Sequence, residues 1–229
     1  MESNLSKRLR NVASFVPKGS KLLDVGSDHA YLPIFLMEEK RIGSAIAGEV
    51  VKGPYESALK NVSQAGLQDK IQVRLANGLK AFEPSDHVDL ITICGMGGRL
   101  IADILEAGKE KLQEVKRLVL QPNNREDDLR QWLMANDFTI VSETIMIEND
   151  KYYEIIVAEH GKEILSAKEL RFGPFLSREK SQVFKGKWHR EIDKLSYALS
   201  CVPEVKQEER SAILQKMKNI EEVLDDESK

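Results

Sequence analysis

Residues 21–33 read KLLDVGSDHAYLP, and this stretch decides the fold. A short apolar run, KLLDV, leads into a glycine turn at Gly26, and a segment with helical spacing begins at Tyr31. A buried strand, a tight turn and a helix N-terminus in this order are typical of an open α/β sheet that binds a cofactor at its strand ends. We therefore expect a cofactor crevice directly after this strand.

The same alternation of strand and helix continues outward to about residue 161. Further β-branched runs that predict strands are SAIAGEV (44–50), IQVRLA (71–76), VDLITIC (88–94), RLVLQP (117–122), FTIVSETIMI (138–147) and YYEIIVAEH (152–160). Helical spacing occupies residues 31–40, 52–66, 98–112 and 125–137. The pattern predicts an α/β fold, a Rossmann-like sheet of seven strands with helices on both faces. Only a polar turn separates the last two strands, so they should close the parallel sheet as an antiparallel hairpin.

Beyond residue 161 the sequence predicts helices only. Apolar residues recur at helical spacing in two stripes, which are Phe184, Trp188, Ile192, Leu195 and Leu199, then Ile213, Met217, Ile220 and Leu224. Pro203 lies between the stripes, so we expect an antiparallel helical hairpin that resembles a short coiled coil. We predict two units, a domain over residues 1–161 with a basic N-terminal helix, and a helical tail over residues 162–229.

Composition and charge exclude several classes of protein. The chain of 229 residues has 34 basic and 37 acidic side chains, which excludes a polycation. Basic charge is concentrated in residues 1–21, with five basic and one acidic residue, and in residues 168–194, with eight and four. The two cysteines, the absence of an apolar leader and the absence of a long apolar run predict a cytoplasmic protein without a membrane partner. We expect no metal cofactor.

Polar or glycine residues follow five successive predicted strands, where the carboxyl ends of parallel strands meet at one edge of a sheet. Asp24 and Asp28 flank the first turn, and two carboxylates there would repel a diphosphate. S-adenosylmethionine carries a sulfonium and an ammonium group, so this acidic turn favours it over a dinucleotide. Glu49 ends the second strand, where a carboxylate can accept hydrogen bonds from both ribose hydroxyls. Each of these features has a plain turn as its alternative.

The motifs DVGSDHAYLP (24–33), GEV (48–50), NGL (77–79), GMGG (95–98) and QPN (121–123) together resemble the bacterial tRNA (adenine-22-N1)-methyltransferase family. These enzymes are class I S-adenosylmethionine-dependent methyltransferases. Asp28 stands where methyltransferases in general have a second glycine, and an acidic residue at this position is the rule in the family. The resemblance therefore implies S-adenosylmethionine as the methyl donor and N1 of adenine 22 in tRNA as the acceptor.

The resemblance also implies roles for individual residues. Those expected at the cofactor are Asp24, Gly26, Ser27, Asp28, Glu49, Val50, Asn77, Gly78, Gly95 and Met96. Asp24 and Gly26 would shape the methionine pocket, and Glu49 would hold the ribose. Asn77 and Gly78 would meet the cofactor adenine, while Gly95 and Met96 would back the methionine end.

We expect catalysis to consist mainly of in-line positioning of an extruded base, because adenine N1 has a free lone pair at neutral pH. Asp28 is the candidate for stabilising the charge that arrives on the ring, and its alternative role is to cap the following helix. His29 or Asn123 would orient the exocyclic amine, and a histidine at the position of His29 is more often a structural turn residue. Tyr31 would stack on the extruded base or pack the helix.

Basic residues on the first helix and the tail are candidates for contacts with tRNA phosphates, which position RNA without reading its sequence. They are Arg8, Arg10, Lys180, Lys185, Lys187 and Arg190, and a solvated helix face is their alternative interpretation. The tail would then be a tRNA-binding arm on a monomer, or else the interface of a dimer. Two other functions remain open from sequence, a small-molecule or protein methyltransferase of the same fold and a non-catalytic RNA-binding protein that retains the pocket.

Overall fold

The computed structural model of the protein describes residues 5–225, and its centre is a sheet of seven strands. The strands are β1 (Ser20–Val25), β2 (Ile42–Glu49), β3 (Ile71–Leu75), β4 (Leu90–Met96), β5 (Arg117–Pro122), β6 (Phe138–Glu148) and β7 (Lys151–His160). Each coincides with one of the β-branched runs, so the prediction of seven strands is confirmed.

The strands lie in the order β3-β2-β1-β4-β5-β7-β6. The first five are parallel, and the order reverses between β1 and β4, which creates a crevice at the carboxyl ends of these two strands. The hairpin of β6 and β7 folds back so that β7 pairs antiparallel with both β5 and β6. The turn between β6 and β7 therefore lies at the same edge of the sheet as the crevice.

Helices cover both faces of the sheet. They are α1 (Lys7–Ser14), α2 (Tyr31–Glu38), α3 (Lys52–Gln64), α4 (Gly98–Ala107) and α5 (Glu126–Ala135). Residues on α1, α2 and α3 share one apolar cluster with Leu22 and Leu90, whereas residues on α4 and α5 share the other with Leu23 and Ile91. Successive strand residues thus point into opposite clusters, which explains why the strands read as continuous apolar runs.

Helix α4 is shorter than its apolar spacing predicts. The prediction of one helix over residues 98–112 is wrong, because α4 ends at Ala107 and a 3₁₀ helix covers Lys109–Glu114. Gly108 lies against Leu79, and a Cβ at this glycine would approach the Cβ of Leu79 to 2.6 Å. The chain turns at Gly108 because any side chain there would collide with Leu79.

The tail contains α6 (Ala167–Phe172), α7 (Leu176–Glu179), α8 (Gln182–Cys201) and α9 (Gln207–Asp225). Phe184 and Trp188, near the start of α8, share a buried cluster with Ile220 and Val223, near the end of α9. The two long helices are therefore antiparallel, as the stripes predict. Ile145 of β6 belongs to the same cluster, so this end of the α8–α9 helical hairpin packs against the sheet.

A chain of buried ion pairs also connects α8 to the sheet. Arg130 of α5 bonds to Glu143 of β6 at 2.8 Å and to Glu154 of β7 at 2.5 Å. Lys187 of α8 bonds to the same Glu154 at 2.7 Å and to Glu126 of α5 at 2.8 Å. Burial alone would raise the pKa of Glu154, but Lys187 and Arg130 hold that pKa below its usual range. The network ties α8 to the rest of the fold in one orientation.

Candidate active site

Asp24 lies at the centre of the crevice, where β1 ends. Its carboxylate accepts hydrogen bonds from the hydroxyl groups of Ser27 and Thr92, both at 2.6 Å. Burial raises the pKa of Asp24 to about 6, and the nearby carboxylate of Glu49 adds to this rise. A buried carboxylate with a raised pKa is a group that a cationic ligand would stabilise in its charged form.

Glu49, at the end of β2, has an oxygen without a partner. The residue is 5% exposed, yet its Oε1 atom makes no hydrogen bond within residues 5–225. Burial raises its pKa, and the backbone amides of Asp28 and His29 oppose that rise. Buried carboxylate oxygens are normally satisfied, so this atom is suited to accept a hydrogen bond from a ligand hydroxyl. Val50 follows it with 59% of its surface exposed.

The turn after β1 is held in an unusual backbone conformation. Asp28, His29 and Ala30 are three consecutive residues with positive φ angles of 44°, 70° and 60°. For a residue other than glycine, such an angle costs about 1–3 kcal/mol of conformational free energy. Residues strained in this way cluster at functional sites. Ala30 is the N-cap of α2, which has no side-chain cap. The alternative role of Asp28 as the helix cap is therefore wrong.

The side chains of this turn form an exposed group beside Glu49. The carboxylate of Asp28 is 82% exposed and lies 3.3 Å from Nε2 of His29. The rings of His29 and Tyr31 have their centroids 5.4 Å apart, and 49% of Tyr31 is exposed. The amide of Asn61 donates to the carbonyl of His29 at 2.9 Å, which fixes the turn on α3. A carboxylate, an imidazole and an accessible aromatic face are thus brought together.

Two glycines leave room that a side chain would occupy. Gly26 has a φ of 65°, and a Cβ there would lie 2.3 Å from the terminal methyl group of Met96. Gly78 has a φ of 56°, and a Cβ there would lie 2.9 Å from Ile104. Asn77 is exposed next to it. Glycine is therefore required at both positions for packing against Met96 and Ile104, on the predicted route of the cofactor from its methionine end to its adenine.

Gly95, Asn123 and Gln121 form a tightly bonded turn at the ends of β4 and β5. Asn123 donates from its side chain to the carbonyl of Gly95 at 2.7 Å, and Gln121 accepts from the amide of Gly95 at 3.0 Å. The backbone amide of Asn123 also donates to the carbonyl of Met96 at 2.7 Å. Asn123, a candidate for orienting the target amine, is therefore engaged in bracing this turn. Gln121 belongs to the QPN motif at the end of the fifth strand but was given no role from the sequence, and the structure buries it fully.

Arg8 enters the crevice, where the sequence suggested a contact with tRNA. Its Nη1 atom donates to Oε1 of Gln121, and its guanidinium lies 5.5 Å from the centroid of the Tyr153 ring. The same atom lies 3.5 Å from the position that a Cβ on Gly95 would occupy. Its positive charge lowers the pKa of Asp24, against the larger effect of burial. Charge alone did not distinguish this residue from its neighbour Arg10, which packs over the Phe35 ring at 5.3 Å.

The other four candidates for tRNA contacts differ in how far bonds within the protein occupy their charged groups. Lys187 is bonded to two carboxylates, and its side chain is 21% exposed, so the protein itself occupies its ammonium group. Arg190 donates to the carbonyl of Asp150 at 2.7 Å, in the turn between β6 and β7. Lys180 ends α7 in a left-handed conformation, and Lys185 is partly exposed on α8. Arg190 therefore lies at the edge of the sheet that holds the crevice, whereas the ammonium group of Lys187 is engaged by the protein itself.

Two further findings concern residues 5–225. Within this range no group of three or more His, Cys, Asp or Glu side chains is arranged to hold a metal ion. No helix in the same range is long and apolar enough to cross a membrane.

Comparisons with known proteins agree on one family. The sequence model of the tRNA (adenine(22)-N(1))-methyltransferase family matches residues 22–222. The tRNA (adenine(22)-N(1))-methyltransferase of Bacillus subtilis strain 168 is 44% identical over 197 residues, which cover 83% of this chain and 82% of that protein.

Solved structures give the same result. A crystal structure of a putative tRNA (m1A22) methyltransferase from Streptococcus pneumoniae, in complex with S-adenosyl-L-methionine, is 61% identical with a TM-score of 0.92 and covers 96% of this chain and 99% of that one. A structure from M. capricolum in complex with S-adenosyl-homocysteine is 29% identical with a TM-score of 0.86 and covers 96% and 98%.

Proposed function

This chain belongs to the tRNA (adenine(22)-N(1))-methyltransferase family, and from that premise we propose how its residues divide the work of the reaction. The protein is an S-adenosylmethionine-dependent enzyme that methylates N1 of adenine 22 in tRNA. The observation that supports the assignment of residues is the buried, unpartnered oxygen of Glu49 beside the exposed Asp28, His29 and Tyr31. The free oxygen of Glu49, suited to a hydroxyl of the cofactor, thus lies next to an exposed aromatic side chain on which a nucleobase can stack.

The crevice residues bind the cofactor, which supplies a methyl group activated by its bond to a sulfonium. Glu49 accepts hydrogen bonds from the ribose through its free oxygen, and Val50 covers the adenine from one side. Asn77 reads the edge of that adenine, and Gly78 allows the ring to approach. Gly26 and Gly95 leave room for the methionine portion, which Met96 backs.

Charge in the crevice is arranged for a ligand that carries both signs. Asp24 lies nearest the cationic groups of the cofactor, and its raised pKa fits a carboxylate that gains stability when such groups arrive. Arg8 supplies the opposite charge at the Gly95 end, where the carboxylate of an amino-acid ligand would bind it. Ser27 holds the carboxylate of Asp24 in place through its hydroxyl.

The residues of the left-handed turn receive the extruded target base. Tyr31 stacks on the ring, and His29 lies against Tyr31 at the distance of an aromatic pair. N1 needs no base to remove a proton before attack, so orientation of the ring is the main requirement. The ring becomes cationic when N1 gains the methyl group, and the carboxylate of Asp28 then stabilises that charge. Asn123 contributes by holding the Gly95 turn.

We propose that tRNA binds across the crevice edge and the tail. Residues 162–229 act as an arm, with Lys185 as a phosphate contact on α8. Arg99 and Arg125 are two further candidates that the sequence did not single out. Both guanidinium groups bond to Asp128, and the two side chains remain 70% and 52% exposed. Arginine pairs held in this way suit the geometry of phosphate. We place the enzyme in the cytoplasm as a monomer.

Transfer of a labelled methyl group to unmodified tRNA tests this function. The expected result is a reverse-transcription stop at adenine 22 that is absent when adenine 22 is replaced by guanine. Label in a small molecule or a protein instead of tRNA would contradict the assignment, and so would tRNA binding without any turnover.

The role of Asp28 is tested separately in Asp28→Asn. We expect kcat to fall about tenfold or more, with an unchanged KM for the cofactor and an unchanged melting curve. Wild-type kcat in this variant would exclude the carboxylate from catalysis.

A further inference from the structure

The N-terminus of α1 is held by a residue that lies 141 positions later in the sequence than Lys7. Glu148, the last residue of β6, accepts from the backbone amide of Lys7 at 2.7 Å through Oε1 and from that of Arg8 at 3.3 Å through Oε2. These are two of the first amides of a helix, which have no partner within the helix itself. Ser6 caps the same helix by accepting from the amide of Leu9 at 3.2 Å.

The same hairpin also contacts the side chain of Arg8. Tyr153 of β7 lies under its guanidinium, whose centre is 5.5 Å from the ring centroid. Gln121 of β5 accepts from Nη1 on the other side. One end of the β6–β7 hairpin therefore fixes both the backbone amide and the guanidinium of a single residue. A long side chain such as arginine loses up to about 2 kcal/mol of conformational entropy on ordering, and this arrangement orders it before a ligand arrives.

We propose that Glu148 and Tyr153 are positioning residues that set the affinity for the cofactor through Arg8. Glu148 fixes the start of α1, and Tyr153 fixes the plane of the guanidinium in the orientation that a carboxylate accepts. The inference rests on the proposed role of Arg8 as the partner of the α-carboxylate of the cofactor. The inference adds the β6–β7 hairpin, which contains none of the strand-end motifs, to the elements that determine binding of the cofactor.

The competing explanation is that Glu148 only attaches α1 to the fold. The structure offers a matched control for it, because a second polar contact joins the same helix to the same strand. Asn11 donates from its side chain to the sulfur of Met146 at 3.6 Å, and this hydrogen bond does not involve Arg8. A general loosening of α1 should follow from the loss of either contact, whereas loss of positioning should follow only from a change at Glu148.

The experiment measures the dissociation constant of S-adenosylhomocysteine by titration calorimetry for the wild type, Glu148→Gln and Asn11→Ala. Glutamine keeps one acceptor but loses the charge and the second acceptor, so the start of α1 should no longer hold Arg8 in one orientation. We expect affinity to fall about fivefold, which corresponds to about 1 kcal/mol. Asn11→Ala should bind as the wild type does. The KM for S-adenosylmethionine should rise in Glu148→Gln by the same factor while kcat changes little.

Two further comparisons separate positioning from attachment. In an Arg8→Ala background, Glu148→Gln should cause no additional loss, because the residue it acts through is gone. With 5′-methylthioadenosine, which lacks the amino-acid carboxylate, Glu148→Gln and the wild type should bind equally. Tyr153→Phe should retain affinity and Tyr153→Leu should lose it, since the ring face and not the hydroxyl group contacts Arg8.

Additive losses in the Arg8→Ala background, an equal loss for 5′-methylthioadenosine, or the same loss in Asn11→Ala would each overturn the inference. Thermal melts of all variants show whether α1 remains folded. Failure of tRNA methylation in the wild type would instead refute the proposed function, and the calorimetry does not depend on it.

Discussion

Replacement of Asp24 by asparagine should make the folded protein more stable at neutral pH and weaken its binding of the cofactor. The carboxylate is 4% exposed and accepts from Ser27 and Thr92, but burial outweighs both hydrogen bonds. Its pKa rises from 3.8 to about 6. At about 1.4 kcal/mol per unit of pKa, this shift corresponds to roughly 3 kcal/mol of destabilisation in the ionised form.

The sign follows from the proton affinity of each state. The folded protein binds the proton of Asp24 more tightly than the unfolded chain does, so ionisation opposes folding. The contribution of the protonated group to stability is complete below pH 3.8 and is lost as the pH rises through about 6. Asparagine does not ionise and avoids that loss. Its amide needs an acceptor, which the hydroxyl groups of Ser27 and Thr92 provide if one of them rotates.

Urea denaturation of both proteins at pH 4.5 and pH 7.5 tests the reasoning. The stability of Asp24→Asn relative to the wild type should increase by about 2 kcal/mol between the two values of pH, since the carboxyl group of the unfolded chain is already largely ionised at pH 4.5, while its affinity for S-adenosylmethionine falls. Wild-type affinity should increase as the pH rises through 6, because the cationic ligand binds the ionised form. A stability difference that does not change with pH would refute the raised pKa.

Three other changes have defined outcomes. Gly66→Ala should lose about 1 kcal/mol in urea denaturation, because alanine is strained at its positive φ. Gly78→Ala has the same strain and also brings a Cβ to 2.9 Å from Ile104, so it should lose more stability. Only Gly78→Ala should weaken cofactor binding in calorimetry, because Gly78 lies in the proposed adenine site. Lys187→Met leaves Glu126 and Glu154 without their shared cation and should destabilise the protein by about 3 kcal/mol, and an unchanged urea midpoint would show that the network is not stabilising. Arg125→Ala should reduce the slope of log affinity for tRNA against log salt by about 0.9, whereas Lys162→Ala, an exposed cation beside Asp137, should leave the slope unchanged.

The sequence predicted those features that depend on neighbours along the chain. All seven strands, the four helices that alternate with them and the two long tail helices follow from local hydrophobic patterns. The end of α4 at Ala107 does not, because Leu79, which excludes a longer helix, is distant in sequence. The short helices α6 and α7 were not predicted individually either. The strand-end residues were predicted for the same reason, since parallel strands bring their ends to one edge. Asp28 was assigned two possible roles, and the left-handed turn removed the capping role.

Charged residues were the class that sequence could not assign. Arg8 and Lys187 both lie in basic segments, which favours an RNA surface, yet each has partners more than 30 positions away. Arg8 contacts Gln121 from β5, and Lys187 contacts Glu154 from β7. The position of a long charged side chain depends on which carboxylate or amide the fold brings near it, and no local pattern records that contact. Net charge over a segment therefore indicates less about binding than the number of its cations that remain exposed to solvent.

Several unfavourable features of this fold lie at one edge of the sheet. Asp24 has a raised pKa, and Glu49 has a buried oxygen that finds no partner within residues 5–225. The residues of the turn at Asp28 have a left-handed backbone conformation that glycine would adopt more easily. Under the proposed assignment, a cationic ligand would relieve the first and a ribose hydroxyl would relieve the second, so both would become favourable when the crevice is filled. The third is not relieved by the cofactor, because the strain lies in the backbone. It places a carboxylate on the turn where a glycine would place none, which explains why the chain retains Asp28 in a conformation that opposes folding.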